Sequence, residues 1–351
     1  MTTRLRIGFL PLIDAALLVV AREEGFAERE GLSLDLVREA SWANLRDRLS
    51  VGLLDAAQML APAAIAATLG LGHLRVPMAA PTMLSLNGAS ITVSAALYDE
   101  MTKATQGDLA EADVAAAAFA KVAAARVAAG GAPPVLATVF TYSTHTLLIG
   151  AFLRLADLKP ETDIPLVVLP PQYTAASLAS GQIDGFCAGA PWNAVAVASG
   201  AGMIAALGVD LMPDAPEKLL AMRADDVERR ADTAIALARA TLAAANWAER
   251  PENRERLARH LAHADTVDAP AAMIEAVLAG RIEVGAGRPP RRAPDYLRID
   301  RAALAPSAAV AHRLIEAMVA AGQLADAADA RAAARRVFRD DLFTEALRSK
   351  R

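Results

Sequence analysis

The sequence predicts an α/β protein of two lobes with a helical carboxyl-terminal region. Three observations point there. The chain has 351 residues, 54% of them hydrophobic, which is enough apolar surface for two cores. Short apolar runs alternate with helix-length segments through the first third, and a second series of the same kind follows Ile91 to Val93. From Asp225 onward the pattern is almost wholly helical.

In the first series Leu5 to Leu10 reads as a buried strand, Asp14 to Arg22 as a helix ending near Gly25, and Leu32 to Val37 as a second strand. Ser41 is placed to cap a helix over Trp42 to Val51, because its hydroxyl can accept from a free N–H of the first turn. Asp55 to Met59 gives a third strand, and Pro62 opens a helix that stops around Gly70. Such units need right-handed crossovers and a parallel sheet, whose ligands lie beyond the carboxyl ends of the strands.

In the second series Asp108 to Ala128 is an Ala-rich helix stopped by Gly130-Gly131 and Pro133-Pro134, and Val135 to Phe140 is a strand. Thr144 is read as the cap of a helix running to about Ala156. Leu166 to Leu169 and Gly185 to Ala188 read as strands around a helix from Tyr173 to Ala179. This block is expected to be a second lobe inserted into the first, with lobe I formed by residues 1–93 and 200–351 and lobe II by 94–199. Arg288 to Pro294, dense in Pro and Arg, reads as an exposed loop.

Charge narrows the function. Lys and Arg total 36 against 40 for Asp and Glu, a net charge of -4. That balance gives no broad attraction to nucleic acid or anionic lipid, so neither direct nucleic-acid binding nor membrane insertion is expected, and an anion site must be local. Cys187, the only cysteine, has no partner for an intramolecular disulfide and lies in an apolar, strand-like stretch. Arg4 and Arg6 followed by Ile7 to Val20 imitate a secretion signal, but Pro11 and Asp14 interrupt the run, and Arg22-Glu23-Glu24 stands where a small-residue cleavage site belongs. With Met1 as the natural start, the expected location is the cytoplasm.

The sequence contains no phosphate-binding Gly-rich loop, Cys-x-x-Cys, His-Glu-x-x-His or nucleophile elbow. Gly285-Ala286-Gly287 lacks the strand-turn-helix setting of a dinucleotide site and reads as a turn. His260 and His263 sit on an Arg-rich helix and read as solvated rather than as a metal pair. The expectation is therefore a protein that is not an enzyme, with no catalytic residues, no cofactor and no metal.

Several stretches stand in an ordered series: Gly8-Phe9-Leu10-Pro11-Leu12-Ile13-Asp14, Glu39-Ala40-Ser41-Trp42-Ala43-Asn44, Gly52-Leu53-Leu54-Asp55-Ala56-Ala57-Gln58-Met59, Ser85-Leu86-Asn87-Gly88, Thr144-His145, Val168-Leu169-Pro170-Pro171-Gln172, Asp184-Gly185-Phe186-Cys187-Ala188-Gly189-Ala190-Pro191-Trp192-Asn193 and Pro216-Glu217-Lys218. From about Arg6 to Met222 this series resembles the nitrate- and bicarbonate-binding members of the periplasmic-binding-protein superfamily. The resemblance implies the type II, Venus-flytrap fold, in which two α/β lobes joined by two crossing segments hold an oxyanion in their cleft. It also implies ligand contacts at Trp42, His145 and Lys218, with Gln58, Asn87 and Gly88 as neighbours.

The chemistry of those side chains suits a planar monoanion, which needs about one compensating cation and several N–H donors. Lys218 supplies the cation, His145 a ring nitrogen beside a helix start, and Trp42 a flat ring with an indole N–H. Gln58 and Asn87 offer amide donors, and Gly88 permits close backbone approach. Outside the resemblance each has a plainer reading: a lone tryptophan usually packs, a lone histidine is usually structural, and Lys218 reads as an exposed lysine in a Pro-Glu-Lys turn. As a ligand contact it is a cleft lysine, whose replacement by Ala is expected to weaken anion binding sharply and leave the fold intact. Trp192 reads as packing at the hinge side of the cleft.

The sequence also departs from the family. Thr146-Leu147-Leu148 replaces the usual Asp-Leu-Trp, Tyr142-Ser143 replaces a Gly-Gly pair, and Ala190 stands where Glu is common. Losing those acidic groups makes the pocket rim less negative and argues against a carboxylate-built calcium site. With a start directly at the first strand, the chain looks like the cytoplasmic nitrate/nitrite sensors that control an RNA-binding antiterminator response-regulator protein. The alternative is the substrate-binding component of an ABC transporter for nitrate, nitrite or bicarbonate.

Overall fold

The computed structural model describes residues 2–72, 74–285, 287–325 and 327–348. Met1, on which the reading of the start rests, and Ala286 of the expected turn lie outside the described residues.

Strands β1 (Thr3–Phe9), β2 (Leu32–Arg38) and β3 (Ala56–Leu60) open the first sheet, with β1 parallel to both of the others. Every residue of β3 is buried, as a strand covered on both faces must be. Two further strands, β4 (Met78–Ala79) and β5 (Met83–Asn87), follow before the chain crosses over. The second sheet then collects β6 (Ala89–Ser94), β7 (Leu136–Thr138), β8 (Leu166–Val168), β9 (Gly185–Gly189) and β10 (Gly202–Leu207) in the order β10-β6-β9-β7-β8. The chain returns as β11 (Pro216–Arg223), antiparallel to β3 and β5. Beyond it, β12 (Arg281–Ile282) pairs with β13 (Arg291–Arg292), and β14 (Leu297–Arg298) closes the edge of the first sheet, whose order is β14-β5-β11-β3-β1-β2.

Both sheets are therefore mixed rather than purely parallel. The reversed strands are β11 and β14 in the first sheet and β6 in the second, and both β6 and β11 are nearly continuous buried runs that lack the alternation by which a half-buried strand betrays itself. The Arg288 to Pro294 stretch contains one arm of a short hairpin rather than loop alone. Because β6 and β10 belong to the second sheet, we propose that the lobes divide at Asn87-Gly88 on the way out and between Gly208 and Ala215 on the way back.

Local capping follows residue chemistry. Ser41 Oγ accepts from Asn44 N at 3.1 Å and starts the helix Trp42–Ser50. In the second lobe the cap is Ser143, which accepts from Thr146 N at 3.1 Å, so Thr144 is the first residue of the helix Thr144–Arg154 rather than its cap. Gly70 ends the helix Ala61–Leu69 at φ 77°, a left-handed conformation for which glycine carries no Cβ penalty.

The crossover is strained and tightly bound. Asn87 adopts φ 62° and Gly88 φ 95°. The Asn87 amide donates to Asp295 O at 2.9 Å and accepts from Ala215 N at 2.7 Å, which ties the outgoing segment to the returning one. A Cβ on Gly88 would lie 2.8 Å from Leu297 Cδ1. Leu297 can yield, but the left-handed backbone cannot, so Gly88→Ala is expected to cost about 1–2 kcal/mol in urea unfolding. An unchanged midpoint would show that the crossover relaxes freely.

Two cores result. In the first lobe Leu5 and Ile7 of β1 pack with the helix Ala16–Glu23, which is covered in turn by the long helix Ala231–Ala248. In the second, Ile91, Phe119, Phe152 and Cys187 pack together. Among the described residues no helix is long and apolar enough to cross a membrane.

Candidate functional site

Four segments of the first lobe deliver side chains to one place. The turn after β1 carries Asp14 in a short 3-10 helix, Ile13–Ala15. The Ser41 cap sets Trp42 at the start of its helix beyond the carboxyl end of β2, and β3 supplies Gln58. The fourth segment, β11, supplies both Glu217 and Lys218. Adjacent residues of a regular strand face opposite sides, but the pairing of β11 with β5 shifts register on both sides of Lys218. That irregularity lets the two charged heads meet. From the second lobe comes His145, the second residue of its helix.

Lys218 is the centre. Its Nζ lies 2.9 Å from Asp14 Oδ2, donates to Glu217 Oε1 and sits 5.2 Å from the centroid of the Trp42 ring. Gln58 donates to Asp14 Oδ1 and accepts from Leu10 N at 2.9 Å. His145 Nε2 is 3.4 Å from Glu217 Oε1, an ion-pair distance without hydrogen-bond geometry. All of it is sealed: His145, Gln58 and Lys218 are 0% exposed, Glu217 1% and Trp42 2%.

Within this sealed cluster several polar atoms have no hydrogen-bond partner among the described residues: Trp42 Nε1, both His145 ring nitrogens and Glu217 Oε2. Ser85 Oγ, on the residue opposite Lys218 across the β5–β11 pair, is unpartnered as well. A buried donor or acceptor left unpaired costs about 1–3 kcal/mol, so their concentration at one point marks a place shaped for a polar guest.

Burial, reinforced by the Lys218 ammonium, holds the His145 pKa well below the ordinary imidazole value, so the ring is neutral with one donor and one acceptor nitrogen. Burial pulls the Lys218 ammonium down, but Asp14 and Glu217 more than offset it, and its pKa is raised. Asp14 is pushed up, chiefly by burial, against the pull of Lys218.

The lobes are closed over the cluster. Ile13 N donates to Ala190 O at 2.9 Å, Trp192 Nε1 to Pro11 O at 3.0 Å, Gln172 Nε2 to Ala40 O at 2.7 Å and Thr144 Oγ1 to Pro216 O at 2.7 Å. Trp192 is thus a latch between lobes as well as a packing residue. Entry of any ligand to the cluster requires these contacts to open.

Of the residues singled out from the sequence, Trp42, Gln58, His145 and Lys218 come together. Asn87 and Gly88 stand at the crossover instead, and both polar ends of the Asn87 side chain are already used there. Lys218 is not in an exposed turn but inside a strand, wholly buried. Asp14 and Glu217 escape sequence reasoning. The rim is expected to be less negative where Thr146 and Ala190 replace acidic residues, yet the cluster holds two carboxylates, Asp14 and Glu217, against its one ammonium. Asp14 carried one usable signal, its position just past the carboxyl end of the first strand. Glu217 carried none, because only the register shift turns it inward.

His260 bonds Glu24 Oε1 at 2.7 Å rather than pairing with His263, and among the described residues no three His, Cys, Asp or Glu side chains are grouped to hold a metal. A cavity of about 620 Å³ lies elsewhere, between the helices Trp192–Ala198 and Ala271–Leu278, and none of the cluster residues lines it.

Comparison with known proteins places this architecture. Residues 1–262 match the NMT1-like family. The nitrate import ATP-binding protein NrtC of Synechocystis sp. is 34% identical over 263 residues, covering 74% of this chain and 37% of that protein. The nitrate/nitrite binding protein NrtA of Nostoc sp. is 30% identical over 292 residues, covering 82% of this chain and 63% of that protein. The chain thus spans less than two thirds of the length of these curated relatives. The crystal structure of the periplasmic nitrate-binding protein NrtA from Synechocystis PCC 6803 superposes with a TM-score of 0.88 at 28% identity, covering 98% of this chain and 88% of that one. The two-lobed type II periplasmic-binding-protein fold expected from the sequence is the fold of the chain.

Proposed function

Since the chain belongs to the NMT1-like family and is a binding protein rather than an enzyme, we propose that it holds a small oxyanion, nitrate or nitrite, between its closed lobes. The observation that carries this is the set of unpartnered buried N–H groups of Trp42 and His145 beside the Lys218 ammonium. Nitrate and nitrite are flat, singly charged acceptors, and such donors on two lobes are satisfied together only when the anion sits between them. In this reading Trp42, His145 and Lys218 touch the ligand. Gln58 acts through Asp14, and Asn87 and Gly88 act as the crossover on which the lobes move.

The finer reading is a cytoplasmic sensor. Anion binding favours the closed arrangement because the closed state holds it better, and closure changes the surface offered to an RNA-binding antiterminator, whose release permits transcription of nitrate-assimilation genes. The likeness to sensors described from the sequence supports this. The names of the relatives, a nitrate import protein and a nitrate/nitrite binding protein, favour a second reading, an importer's binding component.

Calorimetric titration with nitrate, nitrite and bicarbonate tests the ligand, with one-to-one binding of nitrate or nitrite expected. Adding nitrate to a purified complex with the antiterminator tests the role. Release is the expected result, whereas an intact complex at saturating anion removes the sensor and leaves the importer.

A further inference from the structure

We propose that the anion enters this site together with one proton, and that Glu217 takes that proton on Oε2 and donates the resulting O–H to the anion. The inference rests on the oxyanion reading above and concerns what the site must do to accept such a guest.

The charges that meet at the cluster come from every element packed around it. Asp14 stands on the turn after β1, Glu217 and Lys218 on β11, His145 on the helix Thr144–Arg154 and Cys187 on β9, where its thiol feels the charges of Glu217 and Lys218. His145 is neutral, and burial keeps the Cys187 thiol protonated. With both carboxylates ionised, two negative charges face one ammonium, and the site carries an excess of one negative charge before any anion arrives. A second negative charge in a sealed, weakly screened space is opposed by Coulomb repulsion. One added proton removes the excess.

The hydrogen bonds say where that proton goes. Both Asp14 oxygens already receive donors, Oδ1 from Gln58 and Oδ2 from Lys218, as an ionised carboxylate requires. Glu217 Oε1 receives Lys218, but Oε2 is buried and receives nothing from the described residues. An ionised oxygen without a donor is the least tolerable charge in the cluster. Protonated from solvent, Oε2 becomes a donor, and nitrate offers only acceptors. Neutralising Glu217 also relieves Asp14, whose pKa its charge helps to raise.

The test is calorimetry of the full chain with nitrate, and with nitrite in parallel, in HEPES and Tris buffers, which differ in ionisation heat. The wild-type protein is expected to take up about one proton per anion and to lose affinity as pH rises, by about tenfold per pH unit wherever one full proton is taken up. Glu217→Gln keeps a donor at that position. It should bind nitrate without proton uptake and with a flat pH profile, so that its affinity relative to wild type grows by about tenfold per pH unit wherever the wild type takes up a full proton. Asp14→Asn removes the excess charge itself but leaves Glu217 Oε2 without a donor, so it should retain only part of the uptake, less than one proton per anion. Binding by the wild-type protein without proton uptake overturns the proposal, as does uptake that survives Glu217→Gln and disappears in Asp14→Asn. Failure of every variant to bind either anion at any pH overturns the oxyanion reading itself, a distinct result.

Discussion

Lys218→Ala is expected to abolish useful anion affinity, by at least about 30-fold, and to destabilise the free protein by about 3–5 kcal/mol at neutral pH. The sequence alone suggested a cleft lysine whose loss spares the fold. Its burial reverses that expectation, because Lys218 is 0% exposed and is the counter-ion of both Asp14 and Glu217. Removing it leaves two carboxylates facing each other in a sealed space.

The loss should depend on pH in a defined direction. Without the ammonium, which now lowers the pKa of Asp14, that pKa rises further above its unfolded value. A group with a raised folded pKa lends stability that is complete below its unfolded pKa and is lost as pH rises through its folded one. The deficit of Lys218→Ala is therefore smallest in acid, below the ordinary carboxylate range, and widest toward neutral pH. Urea unfolding of both proteins at about pH 4 and about pH 7.5 measures it, and an equal deficit at both would mean that Lys218 does not neutralise this pair.

How far the sequence reveals such a site depends on whether the deciding interaction is local. Ser41 and Trp42 are legible because a cap and the residue after it act within one turn. The β1 and β2 runs are legible because apolar and polar residues alternate in Leu5-Arg6-Ile7 and in Leu32-Ser33-Leu34-Asp35-Leu36, the period of two of a half-buried strand. Asn87 looks like a free amide donor in sequence, but its partners, Ala215 and Asp295, lie 128 and 208 residues away. The inward turn of Glu217 is equally hidden, since it follows from how β11 pairs with β5, a strand more than a hundred residues earlier. The resemblance supplied Lys218 and His145. It did not supply the carboxylates that set their charge state.

Trp42 permits ligand contact to be separated from packing. Trp42→Ala removes a ring that is 2% exposed and lies against the Lys218 ammonium, so it should cost about 3–5 kcal/mol of stability through the cavity it leaves, and binding with it. Trp42→Phe keeps an aromatic face under Lys218 and deletes only the indole N–H and some volume. In the free protein that N–H is buried and unpartnered, a penalty of about 1–3 kcal/mol that phenylalanine does not carry. The lost penalty and the lost packing oppose each other, so Trp42→Phe should unfold within about 1 kcal/mol of wild type. Its nitrate affinity should nevertheless fall by about tenfold, because the donor is missing when the anion is present. Thermal melts with and without saturating nitrate read both quantities at once: the free midpoints should nearly coincide while the nitrate-induced rise shrinks in the variant. An undiminished rise would place the indole N–H away from the anion, and a collapsed free midpoint would make Trp42 a packing residue first.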